Sequence, residues 1–80
     1  VSIYPNPADE QTNIEINLDT PRDVEISIMM LSGQELARRN FSLLSGTQVL
    51  PINLAPLNAG VYIVKVKTNH GVRLEKIVVN

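Results

Sequence analysis

The sequence contains no cysteine and a single histidine among its 80 residues. No disulfide can staple the fold, and a structural zinc site, which takes roughly four Cys or His ligands, is out of reach. The missing cysteines do not choose a redox compartment, since a cysteine-free chain suits both. Aromatic residues are equally scarce: Tyr4, Tyr62 and Phe41, with no tryptophan. A sandwich that binds carbohydrate presents a row of exposed rings, and three scattered aromatics do not supply one. Neither sign of charge dominates. Seven Lys and Arg face eight Asp and Glu, a net charge of −1, and the longest basic run is Arg38-Arg39. Without a basic stripe, nucleic acid is not an expected partner. No apolar run approaches the ~20 residues of a membrane helix, so membrane insertion is not expected either. The chain has no visible signal peptide and starts directly on Val1-Ser2-Ile3-Tyr4, which reads as a piece of a longer protein.

What is present is alternation. With 44% hydrophobic residues the chain can build one small core, burying about 60% of its unfolded surface. The whole of 1–80 reads as a single domain. Ile14, Ile16 and Leu18 alternate with polar residues, as do Val24, Ile26 and Ile28, then Leu50, Ile52 and Leu54, then Tyr62, Val64 and Val66. No window keeps the spacing of an amphipathic helix. Turn residues interrupt the runs at Pro5-Asn6-Pro7, Asp19-Thr20-Pro21, Ser32-Gly33-Gln34, Ser45-Gly46, Asn58-Ala59-Gly60 and Asn69-His70-Gly71. This predicts about seven antiparallel strands, at 1–4, 13–18, 23–31, 35–41, 47–54, 61–67 and 72–79, in an all-β sandwich. Segment 35–41 fits an edge strand, where its arginine pair discourages aggregation. The last segment changes phase, because Val72 and Leu74 share a face with Lys76 while Ile77, Val78 and Val79 are all apolar. A bulge near Glu75-Lys76 or cover on both faces would explain it.

The search for chemistry is mostly negative. His70 lies in a turn and reads as an exposed turn residue rather than a ligand or base. Glu15 and Glu25 are outward strand positions, better read as solvated carboxylates than as a hydrolase pair. Ser45 lacks the glycine frame of a nucleophile elbow. There is no phosphate loop, no dinucleotide fingerprint and no calcium-loop spacing. No enzyme activity and no cofactor are expected. Tyr62 shares the phase of Val64 and Val66, which places its ring in the core with the hydroxyl on a polar partner. Tyr4 is expected to pack as well. Pro5-Asn6-Pro7, with two fixed φ angles in three residues, is either a rigid kink at a strand end or a preshaped recognition element.

Four segments together resemble the type A C-terminal sorting domain of the type IX secretion system of Bacteroidota. They are Ile3-Tyr4-Pro5-Asn6-Pro7-Ala8; Val24-Glu25-Ile26-Ser27-Ile28 followed by Ser32-Gly33-Gln34; Leu57-Asn58-Ala59-Gly60-Val61-Tyr62-Ile63-Val64-Lys65-Val66; and Glu75-Lys76-Ile77-Val78-Val79-Asn80. Their order spans nearly the whole chain. The family often carries Asp before the middle glycine turn, where this chain has Leu31-Ser32. The resemblance implies an immunoglobulin-like sandwich of about seven strands, joined to an upstream cargo domain. It also implies an export and sorting signal that directs the cargo through the outer-membrane type IX translocon, by way of the periplasm, to the cell surface or medium. Its implied partners are the translocon and a sortase-like processing peptidase. The sorting-motif candidates are Tyr4, Pro5, Asn6, Pro7, Gly60, Tyr62, Lys76, Ile77, Val78 and Val79. Gly60 and Tyr62 are read as structural, and Lys76 with the terminal carboxylate as a charge pattern on the last strand. An unpaired edge strand is a second means of recognition, open to extension by a partner strand or to weak self-association. The competing reading is an immunoglobulin-like accessory module, either carbohydrate-binding or a structural spacer, of a secreted enzyme or adhesin.

Overall fold

The computed structural model describes residues 2–80 and is all-β. Its strands are β1 (Ser2–Tyr4), β2 (Gln11–Met30), β3 (Glu35–Asn53), β4 (Gly60–Thr68) and β5 (Gly71–Val79). Val1, which the sequence reading included in the first strand, lies outside the described residues. All five strands belong to one antiparallel sheet, in which β1, β2, β4 and β5 follow one another and β3 pairs along β2.

The count is therefore five rather than seven, and the pairing gives one curled sheet instead of the two separate sheets of the expected immunoglobulin-like sandwich. The difference has a local cause. Asp19-Thr20-Pro21 and Ser45-Gly46 were read as turns that end strands, but the structure makes them opposed bends within two continuous strands. The ladder skips from Leu18↔Gly46 to Arg22↔Leu44, then to Val24↔Phe41. Residues 19–21 leave the ladder where Pro21 has no N–H to give it. On the facing strand, Leu43 takes a left-handed φ of +50° and Gly46 one of +70°. The carboxylate of Asp23 accepts the Leu43 amide at 3.0 Å, satisfying a donor that the bulge removes from the ladder. Each long strand thus carries two limbs. The first limb of the sheet holds β1, residues 11–18 and residues 46–53. The second holds residues 24–30, residues 35–41, β4 and β5.

The inner faces of both limbs contribute to one apolar cluster. Ile14, Ile16, Leu18, Leu50 and Ile52 come from the first limb, and Ile26, Ile28, Val64, Val66 and Ile77 from the second. The polar residues between them, such as Asn13, Glu15 and Asn17, point outward, as period-two alternation requires. The β2–β3 hairpin turns at Gly33, whose φ of +95° requires glycine. The Gly33 amide donates to the Met30 carbonyl at 2.8 Å. The β4–β5 hairpin closes at Thr68↔Gly71, and its register runs without a shift to Gly60↔Val79. No bulge explains the phase change in β5. Val72 and Leu74 are exposed on the outer face, while Ile77 and Val79 enter the core.

Candidate functional site

The segments singled out in the sequence meet at one end of the sheet. In the β4–β5 register Gly60 stands opposite Val79 and Tyr62 opposite Ile77. On its other side Tyr62 faces Met30, the last residue of β2, next to the Gly33 turn. Tyr62 is partly buried against the core, and its hydroxyl donates to the Asn58 carbonyl at 2.7 Å. A Cβ at Gly60 would lie 3.8 Å from the Tyr62 ring, so the two motif residues touch.

Pro5-Asn6-Pro7 reaches this end from the other side of β5. Both Tyr4–Pro5 and Asn6–Pro7 peptide bonds are cis. The Pro5 carbonyl accepts the hydroxyl of the buried Thr12 at 3.1 Å, tying the loop to the first limb. The Asn6 side chain then behaves like a short piece of strand. Its Nδ2 donates to the Lys76 carbonyl at 3.0 Å, and its Oδ1 accepts the Val78 amide at 3.0 Å. An amide side chain has one donor end and one acceptor end, which is what two outward groups of a strand edge require. Ala8 continues the closure as a parallel bridge to Val79. Its amide donates to the Val78 carbonyl at 2.8 Å, and its carbonyl accepts the Asn80 amide at 2.8 Å. The Ala8 side chain is fully buried. Asn80 Nδ2 adds a bond to Asp9 Oδ1 at 3.2 Å.

One expectation changes here. Tyr4 does not pack: it is 43% exposed at the end of β1, the one exposed aromatic ring among the described residues. The edge of the last strand is not open between Lys76 and Val79, because Asn6 and Ala8 occupy it. Lys76 and Pro7 are exposed, and Lys76 forms no ion pair among the described residues. Ile77 and Val79 are core residues, and Val78 is half-buried.

The opposite end of the sheet holds an open cleft of about 400 Å³, lined in part by Asp19, Arg22, His70 and Arg73. His70 is an exposed turn residue, as expected. Arg22 donates to Asn69 Oδ1 at 3.0 Å. Glu15 lies on the first limb and Glu25 on the second, where Glu25 pairs with Arg38 at 3.2 Å. Arg38 Nε also donates to Glu35 Oε1 at 2.9 Å. This bond holds the Glu35 carboxyl below its ordinary range and raises the Arg38 guanidinium. Among the described residues no three acidic or imidazole groups come together as a metal site.

The family model for the secretion system C-terminal sorting domain matches residues 2–80. The chain belongs to this family, the type IX secretion C-terminal sorting domains. None of the curated proteins matches the chain. Membership in the sorting-domain family implies interaction with the type IX secretion machinery and a secreted protein exported through the outer membrane. The sorting-domain family is not known as a catalytic one.

Proposed function

We propose that this sorting domain is the export signal of an upstream cargo, and that the outer-membrane type IX translocon reads the end of the sheet where its motifs converge. One observation carries the reading: Asn6 holds Lys76 and Val78 by both ends of its side chain. The opening Tyr4-Pro5-Asn6-Pro7 and the closing Lys76-Ile77-Val78-Val79 form one surface, whose shape exists only when both are folded together. Ile77, Val79, Gly60 and Tyr62 build the platform. Pro5, Pro7, Lys76 and the exposed Tyr4 ring are presented upon it. Such a signal needs a fixed shape and no chemistry of its own. After passage, a sortase-like peptidase removes the domain, or the cargo is attached to the cell surface. In the same reading the curled sheet is a condensed immunoglobulin-like sandwich, each of its two long strands standing for two shorter ones.

The test is an export assay. The 80-residue domain follows a signal peptide and a fluorescent reporter, in a bacterium with an active type IX system and in its translocon-deficient twin. Reporter outside the cell only in the active strain is the expected result. Folded reporter held in the periplasm of both strains would overturn the reading and favour the accessory-module alternative. Export by a chain truncated after Glu75 would remove the terminal strand from the signal.

A further inference from the structure

The outer edge of β3 is the longest unpaired edge of the sheet among the described residues. Strand β3 runs for 19 residues and pairs with β2 alone, so its second edge meets no strand among the described residues. Beside this edge a slot of about 180 Å³ opens between the limbs, lined in part by Ile26, Ile28, Ala37, Arg39 and Ile52. Its origin lies in the register. Ala37 stands opposite Ile28 and Arg39 opposite Ile26, and directly opposed residues share a face of the sheet. Two inward positions, Ala37 and Arg39, therefore carry a methyl group and a cation opposite isoleucine, while the next inward residue, Phe41, packs on the core opposite Val24. Ile26, Ile28 and Ile52, which line the slot, are themselves buried. A cavity of about 150 Å³ with aliphatic walls admits a benzene-sized group, so this slot takes one branched aliphatic side chain.

The charges say what kind of chain brings that side chain. Arg38 is already held by Glu25 and Glu35. Arg39 lies over the Phe41 ring at 5.4 Å and has no carboxylate within ion-pairing distance among the described residues. A second copy of this edge, paired antiparallel about its centre, would set Arg38 against Arg38 with Arg39 beside the pair, and like charges facing each other across strands repel. We infer that residues 35–41 of β3 form a strand-addition site for an extended peptide with an aliphatic and an acidic residue two positions apart, so that both face inward, the aliphatic side chain in the slot and the carboxylate on Arg39. Main-chain bonds to the free edge provide the affinity, and the slot with its cation selects the sequence. This inference does not rest on the sorting reading, because binding by the purified domain tests it with no export involved.

The experiment titrates the 80-residue domain with two eight-residue peptides of threonine and serine, each with one central leucine and, two positions after it, glutamate in one and lysine in the other. Amide hydrogen exchange and chemical shifts report the site. The glutamate peptide is expected to bind about tenfold or more tightly than the lysine peptide and to slow exchange across residues 35–41. Arg39→Gln is expected to remove the preference, Arg39→Glu to reverse it, and Ala37→Leu to fill the slot and weaken both peptides. No binding at about 1 mM, a free energy of roughly −4 kcal/mol, would overturn the inference. So would equal affinity for the two peptides, preference unchanged in Arg39→Gln, or protection appearing on β5 instead.

Discussion

The two long edges of this sheet solve the same problem in different ways. At the end of β5, where Ile77 and Val79 drop into the core, the outward backbone groups are taken by an asparagine side chain and a buried alanine. Along β3 the outward groups meet no strand among the described residues, and the arginine pair Arg38-Arg39 guards them. An edge with a deep core behind it needs covering, because opening it would admit water to buried isoleucine and valine. At Ala37 and Arg39, where small or polar side chains face inward, the edge can be left unpaired at little cost. The difference places the closed edge at one end of the molecule and the open one along its side.

Substitutions at both edges break or sharpen this contrast. Ile77→Ala removes a fully buried side chain behind the closed edge and is expected to lower stability by about 3 kcal/mol, read from urea unfolding. Leu36→Ala, on the exposed face of the open edge, serves as its control and is expected to shift stability by less than about 0.5 kcal/mol. A loss at Leu36 as large as that at Ile77 would erase the distinction. Asn6→Ala comes next. It removes both bonds to β5 and is expected to cost about 1 to 2 kcal/mol, with the Val78 amide moving from slow to fast hydrogen exchange. Asn6→Asp retains the acceptor for Val78 but loses the donor to Lys76, so it is expected to keep the Val78 protection and forfeit part of the stability. Protection at Val78 that persists in Asn6→Ala would show that Ala8 alone closes the edge.

The smallest effect belongs to the exposed charges of the open edge. Arg38 holds the Glu35 carboxyl below its ordinary value, so protonated Glu35 is disfavoured in the folded chain. A depressed carboxyl contributes stability above its unfolded pKa, and that contribution disappears as the pH falls through the folded value. Arg38→Ala is expected to return the Glu35 titration, followed by NMR, toward the ordinary carboxylate range and to flatten this acid dependence. An unmoved titration would assign the depression to another group. The ion pair is exposed to solvent, so raising the salt concentration is expected to act in the same direction as the substitution.

Much of the architecture was legible from alternation alone. Ile14 to Leu18, Val24 to Ile28, Leu50 to Leu54 and Val64 to Val66 all bury the residues that their phase predicted. Gly33 and Asn69-His70-Gly71 turn where expected, since their conformations are set by neighbours in sequence. The bends were misread because Asp19-Thr20-Pro21 has the composition of a strand terminator. Whether such a segment ends a strand or only bulges it depends on the facing strand, here Leu43 and Gly46. Tyr4 was misplaced for a similar reason: alternation over three residues cannot say which face lies beneath the core. The least visible feature was the role of Asn6. Its type suits a turn, and nothing local to it indicates that both ends of its amide are taken by a strand some 70 residues away.

That separation in sequence has a consequence in time. The β2–β3 and β4–β5 hairpins start from pairs close in the chain, Met29↔Glu35 and Thr68↔Gly71, whereas the bonds from Asn6 and Ala8 to the last strand close the largest loop among the described residues. Loop closure of this kind comes late in folding, after the local pairs have formed. During synthesis, at about 5 to 20 residues per second, residues 5–8 precede their partners by roughly 4 to 14 seconds. Through that interval the opening motif exists without the strand that fixes it, so the joined surface marks a chain whose last strand has been made and folded into place.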